Sequence, residues 1–316
     1  MTKKDTNLNF EEIANECGLQ DKIESQTVIA NIESLKDKYS KFELVEIYNY
    51  FLNQALSVDI MMHLIRCLDA YRSKTSLKVF TNILLFKNFD SDEISKENYV
   101  NVRAMCAKAI GNQKDTDYVS ALLYCLNNKD EHYRVRLACA EALGRIGDKY
   151  AVAPLIDIIK DDEEKSVYLK ESAATALGIL GDIRAISPLV NILETKNGIV
   201  DKFSFLKERV IEALGKMGFS NDNRVFNAIK KSLSDDSPQV RIDAIEALMN
   251  SEHPKAYETI KKCLIEDNNY EVKKNALIAL YNLSDRTILD EVINSTDYSD
   301  ALKIEAVKIL EEYEDE

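Results

Sequence analysis

The side chains with the widest chemistry are few. Histidine occurs three times, at His63, His132 and His253, and two of these follow a glutamate, as Glu131-His132 and Glu252-His253. An acid beside an imidazole is the raw material of a metal site or a general base. These two pairs, however, stand about 120 residues apart on turns, with no matching set elsewhere. Six cysteines, Cys17, Cys67, Cys106, Cys125, Cys139 and Cys263, form no CxxC. They are expected to be free core thiols of a reducing compartment in preference to disulfides or a zinc site. No phosphate loop, nucleophile elbow, metal-ligand spacing or dinucleotide fingerprint is present. The expectation is a non-enzyme, with no catalytic residue, cofactor or metal.

The elements that must position any such residue are helices, and they repeat. The stretch VRLACAEALGRIGD, Val135–Asp148, recurs from about residue 102. Its copies begin at Val102, Val135, Leu169, Leu206, Val240, Val272 and Leu302, at steps that signal stacked helical pairs. Four residues on stand Cys106, Cys139, Ala173, Val210, Ala244, Ala276 and Ala306; seven on stand Ala109, Ala142, Ala176, Ala213, Ala247, Ala279 and Ile309. Offsets 0, 4, 7, 8 and 11 share one helical face, the buried stripe of the second helix in each pair. Its small residues let a neighbouring helix come close. The first helix of a pair reads as Ala151–Lys160, Ile183–Leu193, Arg224–Leu233 and Pro254–Ile265. Gly144 with Gly147, and Gly178 with Gly181, are expected to punctuate turns, and Pro154 and Pro188 to bend or start a helix.

The second residue of every copy is basic: Arg103, Arg136, Lys170, Lys207, Arg241, Lys273 and Lys303. Six residues before each base stands an acid: Glu97, Asp130, Glu164, Asp201, Asp235, Asp267 and Asp297. The acid falls in the turn before the helix, where a carboxylate suits free N–H groups and the helix dipole. The base falls in the first turn, against the dipole, and requires an anion. Ion pairs within and between repeats answer both needs, so the bases are read as a structural ladder and not as a ligand strip.

Pairs such as EALGRIGD…AVAPLIDIIKDD and TALGILGD…AISPLVNILE, with that turn acid and the base six residues on, resemble HEAT repeats of the phycobilin-lyase variety. The resemblance covers about residues 97–310. It implies an all-α, right-handed superhelical α-solenoid of about 8–10 stacked helical pairs, and repeats that hold partners. Deoxyhypusine hydroxylase, a HEAT-repeat enzyme, builds its metal site from His-Glu pairs; only the reversed order occurs here. HEAT-like alkylpurine DNA glycosylases need a basic groove with aromatic contacts to DNA, and this chain is acidic and lacks Trp. A HEAT-type subunit of a modifying enzyme, as in heterodimeric bilin lyases, stays open as an alternative.

The 316 residues carry 54 acids against 41 bases, a net charge of −13. That balance disfavours nucleic acid and anionic membranes, whose binders neutralise phosphates, and allows a basic partner. The first residues lack the apolar stretch of a signal peptide, and no run reaches the ~18 apolar residues of a spanning helix, so a cytoplasmic protein is expected. The chain divides into a frayed start (1–7), divergent helical repeats that act as a cap (8–96), HEAT-like repeats (97–310) and an acidic end (311–316). Within the cap, helices are expected over Leu8–Cys17, Lys22–Tyr39, Phe42–Leu56, Ile60–Asp69 and Ser76–Phe86. Ile65, Cys67 and Leu68 would continue the buried stripe. The aromatics Phe42, Tyr48, Tyr50 and Phe51 are read as cap core, with a docking surface as the alternative.

With the stripe facing the core, offsets 2, 3, 6 and 9 of the second helices face away, and in a HEAT stack that side lines the concave wall. It reads Glu141, Glu171, Glu208, Glu212, Asp243 and Glu246, with Leu137, Ile242, Ile278 and Ile304 among and beyond them, and Lys108, Lys274 and Lys308 toward the two ends. The expectation is a non-catalytic scaffold or adaptor whose acidic groove holds a basic segment of another protein. The longest repeat step adds length in Thr195–Phe205, where Phe203 and Phe205 either pack inward or form a second contact ridge.

Overall fold

The computed structural model describes residues 8–20, 23–54, 56–86, 99–194, 204–284 and 286–314. Among them all regular structure is helical, with eighteen α-helices, four short 3₁₀ turns and no strand. The first two pairs are α1 (Phe10–Glu16) with α2 (Ser25–Ser34), and α3 (Lys41–Leu52) with α4 (Val58–Tyr71). Seven pairs follow: α5 (Ser76–Leu84) and α6 (Val100–Gln113); α7 (Val119–Asn127) and α8 (Tyr133–Ile146); α9 (Val152–Lys160) and α10 (Val167–Leu180); α11 (Ile186–Glu194) and α12 (Ser204–Met217); α13 (Asn223–Ser232) and α14 (Pro238–Met249); α15 (Ala256–Glu266) and α16 (Tyr270–Leu283); α17 (Thr287–Asn294) and α18 (Asp300–Glu314). The chain forms two compact units, Met1–Ala151 and Val152–Glu316. The expected frayed start at residues 1–7 lies outside the described residues.

The stripe is buried as its period requires. Offsets 0, 4 and 7 are buried in all seven second helices, and offset 8 in all but the last, where Leu310 is half-buried. Offset 9 corrects the expectation that it faces away. Gly111, Gly144 and Gly178 are buried, and they are helix interior, not turn, as is Gly215. A Cβ on Gly111 would lie 2.6 Å from the Ala142 Cα, and one on Gly178 would lie 2.7 Å from the Ala213 Cα. Successive second helices therefore touch backbone to backbone, glycine against the next repeat's alanine, and only a missing side chain allows it. Gly147 and Gly181 do end helices, as left-handed caps with φ of 84° and 62°. Pro154 and Pro188 occupy the third positions of α9 and α11, where no intrahelical hydrogen bond is lost, so they start helices after a 3₁₀ turn.

The charge ladder is real, but its wiring differs from the sequence spacing. Three of the bases serve the preceding helix. Arg103 Nε donates to the Leu84 carbonyl (2.9 Å), Arg136 Nε to Leu126 (3.0 Å) and Lys273 Nζ to Ile265 (2.9 Å), all at the C-terminal ends of first helices. A cation there satisfies free carbonyls and the negative end of the dipole. Three bases reach forward to the carboxylate of the next repeat, and Arg241 also donates to the backbone carbonyls of Asp235 and Asp236 in its own turn. Lys207 meets Asp235 at 2.7 Å, Arg241 meets Asp267 at 2.8 Å, and Arg103 makes a two-pronged pair with Glu131. Asp130, the acid expected at that step, is exposed, and its neighbour Glu131 takes the role because it points inward. The acids also organise the turn. Glu164, Asp235 and Asp267 accept the backbone N–H of Ser166, Ser237 and Asn269 (2.9, 3.0 and 2.8 Å). Those three residues are in turn the N-caps of α10, α14 and α16.

The first two pairs use other means. Tyr48 and Phe51 are fully buried, and Tyr48 lies parallel to Tyr71 with ring centres 6.3 Å apart. Helix α3 starts with a capping box in which Ser40 and Glu43 exchange backbone and side-chain bonds. Of the four aromatics expected there, Tyr48 and Phe51 are core, Tyr50 is half-buried against Phe10, and Phe42 is 69% exposed.

Candidate protein-binding face

Second helices pack side by side through the Gly–Ala contacts, so their opposite faces run together as one surface within each unit. Offsets 2, 3 and 6 supply it. In the second unit, α10, α12 and α14 bring Glu171, Glu208, Glu212, Asp243 and Glu246 onto this surface, with Ile242 and, on α16, Ile278 half-buried beside them. The acids interact. Burial raises the Asp243 carboxyl above its ordinary range; a 2.8 Å hydrogen bond from Gln239 opposes this, and the negative charges of Glu208 and Glu246 add to it. Burial likewise raises Glu171, with Arg209 opposing and Glu208 reinforcing, and the Glu171 Oε1 atom is buried with no hydrogen bond.

Two cations stand among these five carboxylates. Arg209 pairs with Glu212, and Lys216 reaches the other Glu212 oxygen at 2.6 Å. Around them lies a cavity of 540 Å³, lined by Arg209, Glu212, Lys216, Asp243, Glu246 and Asn250. Sequence reasoning missed Arg209 and Gln239. Arg209 sits at offset 3 of its repeat, so the period alone could have found it; Gln239 lies one residue before its repeat begins and carries no periodic signal.

In the first unit the corresponding face is charge-balanced. Glu141 lies 3.7 Å from Lys108 and 3.8 Å from Arg145, and Leu137 is half-buried at offset 2. Toward the C-terminal end, Lys274 meets Glu305 at 2.7 Å and Lys308 approaches the same carboxylate at 3.9 Å. Phe205, in the first turn of α12, is half-buried and stacks on Tyr168, ring centres 6.3 Å apart. Phe203 lies outside the described residues.

Both Glu-His pairs are structural. His132 is the N-cap of α8, its Nδ1 accepting the Arg134 N–H at 3.1 Å, while Glu131 is committed to Arg103. His253 is buried flat against Phe226, ring centres 4.0 Å apart, and its Nδ1 accepts the Lys255 N–H. Burial, with a lesser push from Lys255, holds its pKa below the usual imidazole value. The cysteines are free; five are buried, and Cys67 is half-buried, outside the stripe in which the sequence reading placed it.

The repeating pairs, the stacked second helices and the ladder are those of HEAT repeats, which match residues 91–169 and 200–281. The chain belongs to the HEAT-repeat family. A phycobilisome-lyase HEAT-like repeat also matches residues 169–195. No curated protein sequence matches the chain. Among solved structures, the complex of CpcE and CpcF of phycocyanin lyase from Nostoc sp. PCC7120 is similar at 22% identity, covering 71% of this chain and 90% of that one, with a TM-score of 0.43. The karyopherin Kap121p is similar at 12% identity and a TM-score of 0.52, covering 97% of this HEAT-repeat chain and 38% of its own. Kap121p bound to the SUMO protease Ulp1p is similar at 13% identity and a TM-score of 0.50, covering 96% and 37%. These likenesses concern the fold. Among the described residues no helix is long and apolar enough to cross a membrane.

Proposed function

We propose that this HEAT-repeat protein is a non-catalytic scaffold that holds a basic segment of another protein against the acid-rich face of α10, α12 and α14. The observation that carries the reading is the imbalance there: five carboxylates share two cations, and the buried oxygen of Glu171 lacks a donor. A lysine or arginine side chain would supply that donor and offset the burial, and the lesser like-charge repulsion, that raise Asp243 and Glu171. Ile242 and Ile278 offer apolar contact to the stem of such a side chain. The fold supports the reading, since Kap121p, similar in fold, is seen bound to another protein. The free state of all six thiols supports a reducing compartment such as the cytoplasm.

The test is fluorescence anisotropy of a labelled helical peptide rich in Lys and Arg, at low and high salt. Binding at low salt that weakens as salt rises is expected. Changing Glu208, Glu212 and Glu246 to Lys should abolish it without lowering the melting temperature. Undiminished binding by that variant would move the site elsewhere. The second reading, a subunit of a bilin-handling enzyme, is favoured by the single lyase-type repeat at 169–195; a coloured tetrapyrrole that co-purifies with the protein would displace the scaffold reading.

A further inference from the structure

Away from the ladder, three donors of different chemistry converge on the first two helical pairs. His63 and Cys67 stand four residues apart on one face of α4, and Glu33 comes from the last turn of α2. Their ligand atoms form a closed triangle. Glu33 Oε1 lies 2.8 Å from His63 Nε2, Cys67 Sγ lies 3.5 Å from that nitrogen, and Cys67 Sγ lies 3.9 Å from Glu33 Oε1. No other group of three or more such donors gathers this closely among the described residues. A carboxylate–imidazole pair would need no thiol. Here the Cys67 thiol lies within the longer hydrogen-bond reach of sulfur from both partners and closes the third side.

We propose that Glu33, His63 and Cys67 form a binding site for a zinc-class divalent cation, with three protein ligands and a fourth position left to water. The dimensions fit. Around a tetrahedral ion with bonds of ~2.0–2.3 Å, the ligand atoms stand ~3.3–3.6 Å apart, so closure on the ion requires shifts of only a few tenths of an ångström. The donor types fit as well: thiolate and imidazole favour zinc over magnesium or calcium, which take oxygen ligands. Access fits, because all three side chains are half-buried, with His63 17% and Glu33 40% exposed. Glu33 also pairs through its other oxygen, Oε2, with Lys36, an exposed contact that orients the carboxylate and leaves Oε1 directed at the other two donors. The bound ion would tie α2 to α4, and binding would release the thiol proton to solvent. This inference is independent of the partner-binding face.

The experiment uses the full chain, stripped with chelator and held reduced, and titrated with Co(II) and then Zn(II). One equivalent of Co(II) should produce a thiolate-to-cobalt charge-transfer band, one equivalent of Zn(II) should remove it, and Zn(II) should raise the melting temperature. Cys67→Ser and His63→Gln should each lose the band, and Cys263→Ser should keep it. Glu33→Gln, a conservative change at a half-exposed position, should weaken Co(II) binding while leaving the helical circular dichroism unchanged, which separates a lost ligand from a lost fold. Absence of the band in the unaltered chain, or retention of the full zinc content by Cys67→Ser, would overturn the site and leave only scattered binding by surface acids.

Discussion

The HEAT-like repeats and the two pairs before them solve the same packing problem with opposite materials. Between α6 and α8, and between α10 and α12, the repeats set glycine against alanine, so backbones touch and the spacing there is set by the absence of side chains. The first pairs use Tyr48 and Phe51, large rings buried to the last atom. The repeats add charge as a linking device, whereas the first pairs rely on capping and ring stacking. The difference teaches which errors each region tolerates. A repeat can lose little charge and gain no volume; the first pairs can gain polarity at their rim and lose no volume.

The largest effects should come from removing what each region cannot spare. Arg103→Ala strands the buried Glu131 carboxylate, whose side chain is 7% exposed. It should cost ~3–5 kcal/mol, read from urea denaturation. Lys207→Ala, at a pair 17% exposed on both sides, should cost clearly less. In the other region Phe51→Ala should cost a comparable ~3–5 kcal/mol by emptying the aromatic core. Equal small costs for Arg103→Ala and Lys207→Ala would break the contrast, because the ladder would then be a surface feature.

Next in size is a sign reversal. Gly→Ala inside a helix ordinarily stabilises by about 1 kcal/mol. At Gly178 the new methyl would meet the Ala213 backbone, so Gly178→Ala should destabilise by ~1–3 kcal/mol. At Gly215 the nearest atom is the Ala247 Cβ at 3.3 Å, and the same change should be near neutral. Thermal melts of the two variants side by side would show whether contact distance orders the effects.

The smallest effect concerns the acid face. Because burial raises the Asp243 pKa in the folded state, its contribution is fully present below the unfolded value and is lost as pH rises through the folded one. Stability should therefore fall as pH rises through and above the ordinary carboxylate range. Asp243→Asn should raise stability at neutral pH by less than ~1 kcal/mol, given solvent screening, and change nothing in acid. A variant no more stable than the parent at neutral pH would mean that Gln239 fully compensates the buried charge.

Much of the fold was legible because it is periodic. Val135, Cys139, Ala142 and Leu143 announce a helical stripe, and six further copies confirm its register. What period cannot carry was missed or misplaced. The base and acid six residues apart in sequence are separate rungs in space; Lys207 finds Asp235, 28 residues on, because the next repeat lies against it. Gly144 looked like a turn because Gly147 follows, yet only Gly147 has positive φ. Cys67 fell on a stripe offset, but in α4 the core face is Ile60, Met61, Leu64, Ile65 and Leu68, which leaves Cys67 at its edge beside His63. Glu33 lies 34 residues from Cys67, and no spacing rule joins them. The acids of the candidate face were legible one by one; of the cations that share their space, Arg209 was overlooked although it stands at offset 3, and Lys216 lies at offset 10, outside the offsets assigned to the face.

The ladder also has an arrow. Arg103 holds the end of its own first helix, and Arg103, Lys207 and Arg241 each grip the turn of the repeat after theirs. A repeat that opens withdraws its acid from its predecessor's base and its base from its successor's acid, so the predecessor keeps a stranded cation and the successor a stranded carboxylate. Within a unit, melting should therefore spread from an opened repeat to both of its neighbours. Two identical lesions at opposite ends of one unit would still not be mirror images, because one would strand a carboxylate and the other a cation.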